Sequence, residues 1–440
     1  MTAPFPAART GILILIDQAA LSAGNFLTGL LLGRVCTPAE FGAYTLVFAA
    51  INGVSGIQNA LIVTPLTVFG SAREGAPLRA YLGGSLANQA VLSFLIAAAG
   101  LVTAASLAVF SPESPWLGAF LGASAAVFFE QMQEFYRRVL LARIRPGGAC
   151  LVDLAGTVLR LSLLGALAFA AKLNPAGAPV TARNAFLCIA AASAVSTAIG
   201  AFRIRTWIVR PVEHAVASAR ENWTFGRWSL ASAGTVAVSM QVYPWVLATL
   251  HGAKTVAILG ACQALVFVSN PVMNALGNFY GPFLAKSASV GGPGGLADAT
   301  RRYLYTTAVL VGGLLLLLVL ARDPLLFYAY SGKYDGHGLL VALLATSTVL
   351  YALGRPLAVA LNAIHRPDLL FRTQFMALVV GTAIAWPLVR AYGPAGVAIG
   401  HIVTNACMLA VRGTVLSRAA ASSRSVGVRA QPENSGSRTL

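Results

Sequence analysis

Residues 11–33 read GILILIDQAALSAGNFLTGLLLG, and Asp17 is their one ionisable side chain. As an α-helix this run rises about 35 Å, more than the roughly 30 Å of a bilayer's hydrocarbon core. It is too long for the apolar segment of a secretory leader and has no clear cleavage site, so it is read as a first membrane crossing.

Outward from this run the pattern repeats. Further apolar runs lie near 42–64, 82–110, 116–137, 149–171 and 184–206. After a polar stretch, six more lie near 228–250, 255–283, 303–321, 338–364, 370–389 and 394–416. Hydrophobic residues make up 57% of the chain and charged residues 10%, against roughly 25% charged in soluble domains. Too few charges exist to coat a water-facing surface of this size. The 43 glycines suit membrane helices, which pack by close backbone approach. The expectation is an all-α integral membrane protein of about twelve transmembrane helices.

A net charge of +17 can signal nucleic acid, but here the cations sit in the short gaps between apolar runs. They therefore report membrane orientation, and no nucleic-acid partner is expected. With the amino terminus in the cytoplasm, 22 Lys and Arg fall on the cytoplasmic side and 7 on the other, with Arg160 and Arg355 inside runs. An error of one span would scramble this alternation, so the bias argues for an even count with both termini cytoplasmic.

The two halves echo each other. Asn59-Ala60-Leu61 before Thr64-Pro65 in the second run matches Asn274-Ala275-Leu276 before Gly281-Pro282 in the eighth. Leu140-Leu141-Ala142-Arg143-Ile144-Arg145-Pro146 after the fourth matches Leu361-Asn362-Ala363-Ile364-His365-Arg366-Pro367 after the tenth. Six-span units of like orientation imply halves related by an axis along the membrane normal, with cargo between them and alternating access. The expected divisions are a six-helix half at 1–206, a basic segment at 207–227, a second half at 228–418 and a disordered cytoplasmic tail at 419–440. The basic segment reads either as an interfacial helix on anionic lipid or as a charged linker.

Three motifs resemble a known family. Thr37-Pro38-Ala39-Glu40-Phe41-Gly42-Ala43-Tyr44 opens the second span, with Thr37 where the family's pattern usually has Gly. Glu134-Phe135-Tyr136-Arg137-Arg138-Val139-Leu140-Leu141-Ala142 leaves the fourth, and Phe225-Gly226-Arg227-Trp228-Ser229 enters the seventh. These are similar to segments of polysaccharide exporters, and most of all of O-antigen (Wzx-type) flippases. That superfamily also holds multidrug extruders and lipid II flippases. The resemblance implies a V-shaped twelve-helix fold in a bacterial inner membrane. It implies movement of an undecaprenyl-diphosphate-linked oligosaccharide, with membrane lipids and polysaccharide polymerase or other assembly proteins as partners. Pro38 and Gly42 suit a tight turn into a helix start.

Ionisable residues within spans are costly, so they face a cavity or a partner. Arg160, near the middle of the fifth span, is the first candidate for a cavity that greets an anionic cargo through its fork of donors. The alternative is a buried pair holding helices together. Arg355, before Pro356, is placed to shape a kinked helix and line the same cavity. Glu130 lies deep enough in span four to carry a proton, whereas Glu134 is placed to pair with Arg138. Asp17 reads either as a proton or cation site or as a solvated carboxylate at a helix start. Asp153, near Arg143 and Arg145, reads as structural.

No catalytic, nucleotide or metal motif accompanies these residues. Gly291-Gly292-Pro293-Gly294-Gly295 lacks the Lys-Ser/Thr of a phosphate loop. The five histidines do not cluster, and the five cysteines form no CxxC pair, so they read as small packing residues. The expectation is a transporter without a cofactor, not an enzyme. The rivals are a cation-coupled multidrug-type antiporter and, less well supported, a membrane glycosyltransferase or polymerase. The latter would need a large catalytic extracytoplasmic loop, and the longest here is only about 321–338.

The orientation can be measured. In a cysteine-free background, the cysteine of Ser331→Cys should react with an impermeant thiol reagent from outside the cell. That of Ser425→Cys should react only after permeabilisation. Reversed labelling would overturn the orientation.

Overall fold

A computed structural model describes residues 5–70, 73–143, 145–173, 180–209, 212–364 and 367–429. Among them every regular element is helical, and no strand occurs. This is the arrangement a bilayer demands, because a helix satisfies its own backbone hydrogen bonds.

The first half contains α1 (Phe5–Val35), α2 (Pro38–Gln58), α3 (Thr64–Phe69), α4 (Gly75–Phe110), α5 (Pro115–Ala142), α6 (Pro146–Leu173) and α7 (Ala182–Ile204). A π-helical turn, Asn59–Val63, joins α2 to α3, so the two form one crossing. Pro38 and Pro115 sit in the first turns of α2 and α5, where proline's missing N–H costs nothing, and Thr37 and Ser114 cap them.

In the second half, α8 (Ala215–Val266) is two rods meeting at Gly252, whose φ of 76° only glycine adopts freely. Likewise α9 (Asn270–Thr307) breaks at Gly292, with φ 55°. The chain therefore crosses as rods 215–251, 253–291 and 293–320, the last ending in α10 (Gly313–Leu320). The short α11 (Arg322–Tyr330) leads to α12 (Gly338–Ala363), α13 (Pro367–Tyr392) and α14 (Pro394–Arg429). These rods fall on the twelve apolar runs. Nine stretches among the described residues are long and apolar enough to cross a membrane, and one of them, Gly234–Ala288, spans the Gly252 break.

Several expectations change. The stretch 207–227 is already in α8 from Ala215. It packs on α4, where Tyr81 donates to Asn222 at 2.8 Å and Asn88 to the Ala215 carbonyl at 3.0 Å. Helix α14 continues to Arg429, eleven residues into the stretch expected to be disordered, while 430–440 lie outside the described residues. Helix α12 runs through Pro356 without a break.

The same neighbour relations occur in both halves. Crossing four packs on six, one on five and five on six; ten packs on twelve, seven on eleven and eleven on twelve. The halves meet chiefly along α2 and α8, through small residues. A Cβ at Gly42 would stand 1.8 Å from the Ala253 carbonyl oxygen, one at Gly260 2.7 Å from Thr45, and one at Gly226 2.6 Å from the Ala60 carbonyl. Gly42 thus serves close packing between the halves, not the turn before α2.

At the end of the bundle holding the α1–α2 turn, the halves are clasped. Lys333 donates to the carbonyls of Gly33, Arg34 and Cys36 at 3.2, 2.9 and 2.6 Å. Arg34 donates in return to the carbonyls of Tyr328 and Ala329. Burial holds the Lys333 ammonium below the usual lysine value.

The Gly42 contact should be intolerant of even one methyl. Gly42→Ala is expected to cost about 1–3 kcal/mol of overpacking, seen as a lower melting temperature of the purified protein. Gly165→Ala, where a Cβ meets nothing within 4 Å, should leave it unchanged. Equal melting would refute the packing role.

Candidate functional site: a polar cavity in the amino-terminal half

A cavity of about 250 Å³ opens within the first half. Each wall is a helical stripe. Helix α2 contributes Phe48, Asn52, Ser55 and Gln58, a spacing of three and four that keeps one face inward. Helix α1 adds Leu21 and Asn25, four apart; α5 adds Glu130, Gln131, Gln133, Glu134 and Arg137; α6 adds Asp153, Gly156, Thr157 and Arg160.

One side of the cavity is formed by a buried ionic centre. Arg137 donates to Asp17 at 3.1 Å, to Glu134 at 3.1 Å and, through Nε, to Asp153. The Arg137, Asp17 and Asp153 side chains are only 7%, 4% and 1% exposed. Glu134 also receives Arg138 at 2.5 Å. Such a cluster persists in an apolar setting only because each charge is paired. It ties α1, α5 and α6 together.

Of the sequence-derived candidates, Arg160 and Glu130 share the cavity wall. Arg160 donates to Asn25 Oδ1 at 3.1 Å, and Gly24 makes room for that approach, since a Cβ there would stand 2.4 Å from Thr157. Glu130 lines the cavity with no hydrogen bond or ion pair of its own among the described residues. Asp17 is not a solvated helix-start carboxylate. Helix α1 begins at Phe5, so Asp17 is about 18 Å along its axis and is bound to Arg137. Asp153 pairs with Arg137, not with Arg143 or Arg145. Arg355 is not in this cavity. It lies in the second half and donates to Asn274 Oδ1 at 3.2 Å, close to Gly277.

Two arginines counted as loop cations are buried within helices: Arg137 and Arg412, which are 6% and 5% exposed. Arg412 donates to Thr373, the Gly354 carbonyl and Gln374, all neutral acceptors. Removing both from the orientation count leaves its bias intact. Inspection of ionisable residues alone also missed the carboxamides. Gln58 donates to Gln89 at 3.1 Å and to the Gln131 carbonyl at 2.7 Å, and Gln89 to Ser93 at 2.8 Å. Their signal was present as polar residues at helical spacing inside an apolar run. Among the described residues no group of His, Cys, Asp and Glu could hold a metal ion. All five cysteines are free, with Cys36, Cys150 and Cys262 buried.

Two matching sets of helices, the first enclosing a polar cavity, make up a polytopic membrane protein. No family model and no curated protein matches the sequence. Solved structures do match in fold. An inward-facing multidrug resistance MATE family transporter of the MOP superfamily superposes with a TM-score of 0.75 at 14% identity, covering 93% of this chain and 99% of that one. An outward-facing multidrug resistance MATE family transporter of the same superfamily gives 0.64 at 13%, covering 96% of each. The lipid II flippase MurJ, in an inward closed conformation, gives 0.67 at 11%, covering 93% and 87%. The chain has the MATE/MurJ transporter fold, and its neighbours are transporters, not enzymes.

The ionic centre makes a sharp stability prediction. Arg137→Ala strands the buried Asp17 and Asp153 carboxylates, while Glu134 keeps Arg138, and should cost about 3–5 kcal/mol, abolishing accumulation of the protein in membranes. Asp17→Asn, which leaves Arg137 paired to Asp153 and Glu134, should be tolerated better. Equal accumulation of Arg137→Ala and the parent would refute the role of the centre.

Proposed function

We propose that the chain is an alternating-access flippase. Its cargo is an oligosaccharide linked to undecaprenyl diphosphate, moved across the bacterial inner membrane for surface or secreted polysaccharide biosynthesis. The observation that carries this reading is the cavity lining, where carboxamides, hydroxyls and both signs of charge outnumber apolar side chains. Such a wall suits a hydroxyl-rich cargo. In the second half, Arg355 has one neutral partner, Asn274, so its positive charge is free to offset a diphosphate. The lipid tail stays in the bilayer and trails through a lateral opening between the halves. The fold shared with a lipid II flippase supports the class.

A cation-coupled multidrug-type antiporter is the second reading. It is favoured by Glu130, a cavity carboxylate without a partner, and by the fold shared with multidrug transporters. In either case Glu130 is the group best placed to carry a coupling proton, and Asp17 would act through Arg137.

Deletion of the gene should remove a surface or secreted polysaccharide and make its lipid-linked unit accumulate in the inner leaflet. The antiporter reading instead expects intact polysaccharide and sensitivity to cationic dyes. Arg160→Ala should reach near-normal levels in the membrane yet impair export, with partial rescue by Arg160→Lys. In a strain without a redundant flippase, lipid-linked units reaching the outer leaflet at the normal rate would overturn the flippase reading. Loss of the Arg160→Ala protein itself would make that residue structural.

A further inference from the structure

We propose that the cavity in the amino-terminal half is a subsite for one uncharged pyranose ring of the cargo, an inference that rests on the flippase reading. The size is right. At about 250 Å³ the cavity is smaller than the roughly 300–1,000 Å³ of sites that enclose a drug-sized ligand. It accepts one ring, not a whole oligosaccharide.

The lining supplies the chemistry that reads a sugar. A carboxamide offers a donor and an acceptor side by side, matching two neighbouring hydroxyls. Asn25 and Asn52 present such groups from α1 and α2, and Ser55 lines the same cavity. Asn52 makes no side-chain hydrogen bond within the described protein. Gln131 is 2% exposed, and its Nε2 is buried without a partner although Oε1 accepts from Gln89 at 3.5 Å. A buried amide donor left unmade is costly, and this one belongs to a cavity-lining residue. Phe48 completes the wall with an aromatic face for the apolar C–H side of a pyranose. Its ring is held by stacking on Tyr44, with centroids 5.6 Å apart and planes at 15°.

Charge decides against the diphosphate. The wall carries Glu130, Glu134 and Asp153 against Arg137 and Arg160, so it has no surplus of positive charge. Arg137 is moreover saturated by its carboxylates. Arg160 and Glu130 remain as a donor and an acceptor for hydroxyls, each strengthened by its charge.

The test uses the full-length protein in nanodiscs and four short-chain polyprenyl diphosphates: bare, or carrying glucose, N-acetylglucosamine or glucuronic acid. At least one neutral-sugar probe should bind about tenfold tighter than bare diphosphate, the effect of a few net hydrogen bonds. The glucuronate probe should bind no tighter than the glucose probe. Asn52→Ala combined with Ser55→Ala should reduce the neutral-sugar advantage severalfold, and Phe48→Leu should do the same independently. Thr103→Val, exposed on α4, should keep it. Absence of the advantage in the parent, or its survival in both subsite variants, overturns the subsite and leaves the flippase reading standing. A tighter glucuronate probe overturns the charge argument and the subsite with it. If no probe binds, bare diphosphate included, the flippase reading falls, and the subsite falls with it.

Discussion

Arg137 sets the geometry of the amino-terminal half, because one buried guanidinium holds carboxylates from α1, α5 and α6. In a low-dielectric interior a charge must keep its partners or be neutralised. The three helices therefore cannot slide independently, and each residue on their inward faces keeps its place in the cavity wall. Arg160 depends on this arrangement. It is seven residues after Asp153 on α6, two turns along the same face, so anchoring Asp153 fixes the direction from which Arg160 reaches Asn25.

The two halves share a backbone plan but not a chemistry. The offset of 221 residues that relates Leu140 to Leu361 carries Glu134 onto Arg355. The offset of 215 that relates Leu61 to Leu276 carries Asn59 onto Asn274. Asn59 and Glu134 both line the first cavity, and Asn274 and Arg355 are hydrogen-bonded in the second half. An acid in one half is thus replaced by a base in the other. Duplicated folds keep packing relations because these are set by small residues and helix lengths, whereas interior charges are free to diverge.

The crossings were legible in the sequence because a run of 20 apolar residues has few other fates. Gly252 and Gly292 were visible as glycines, but the left-handed turns they make were not, since φ depends on where the next rod must go. Burial was the least legible property. Helix α1 starts six residues before its apolar run, and α5 and α14 continue past theirs. Residues near a run's edge, such as Asp17, Arg137 and Arg412, therefore read as solvated when they are enclosed. The partner that encloses Arg137 lies 120 residues away in Asp17, a separation no local pattern encodes. The role of Gly42 was hidden for the same reason, because its neighbour Ala253 belongs to the other half.

The two cross-half contacts at opposite ends of the bundle differ in kind. At one end Arg73 pairs with Glu221, both about one-third exposed, and ion pairs in such settings contribute little. At the other, Lys333 and Arg34 between them engage five main-chain carbonyls. Carbonyls at a helix's carboxyl end have no partner within the helix and carry its negative dipole end, so a cation there satisfies both needs at once. These acceptors cannot be protonated away, as a carboxylate can. Both cations are themselves exposed, so water is at hand to replace either donor when the halves separate. The clasp therefore holds through the number and fixed placement of its acceptors, not through burial. Phe41, Tyr330 and Tyr334, packed beside it and almost fully buried, supply at this end the apolar contact between the halves that the exposed cations do not.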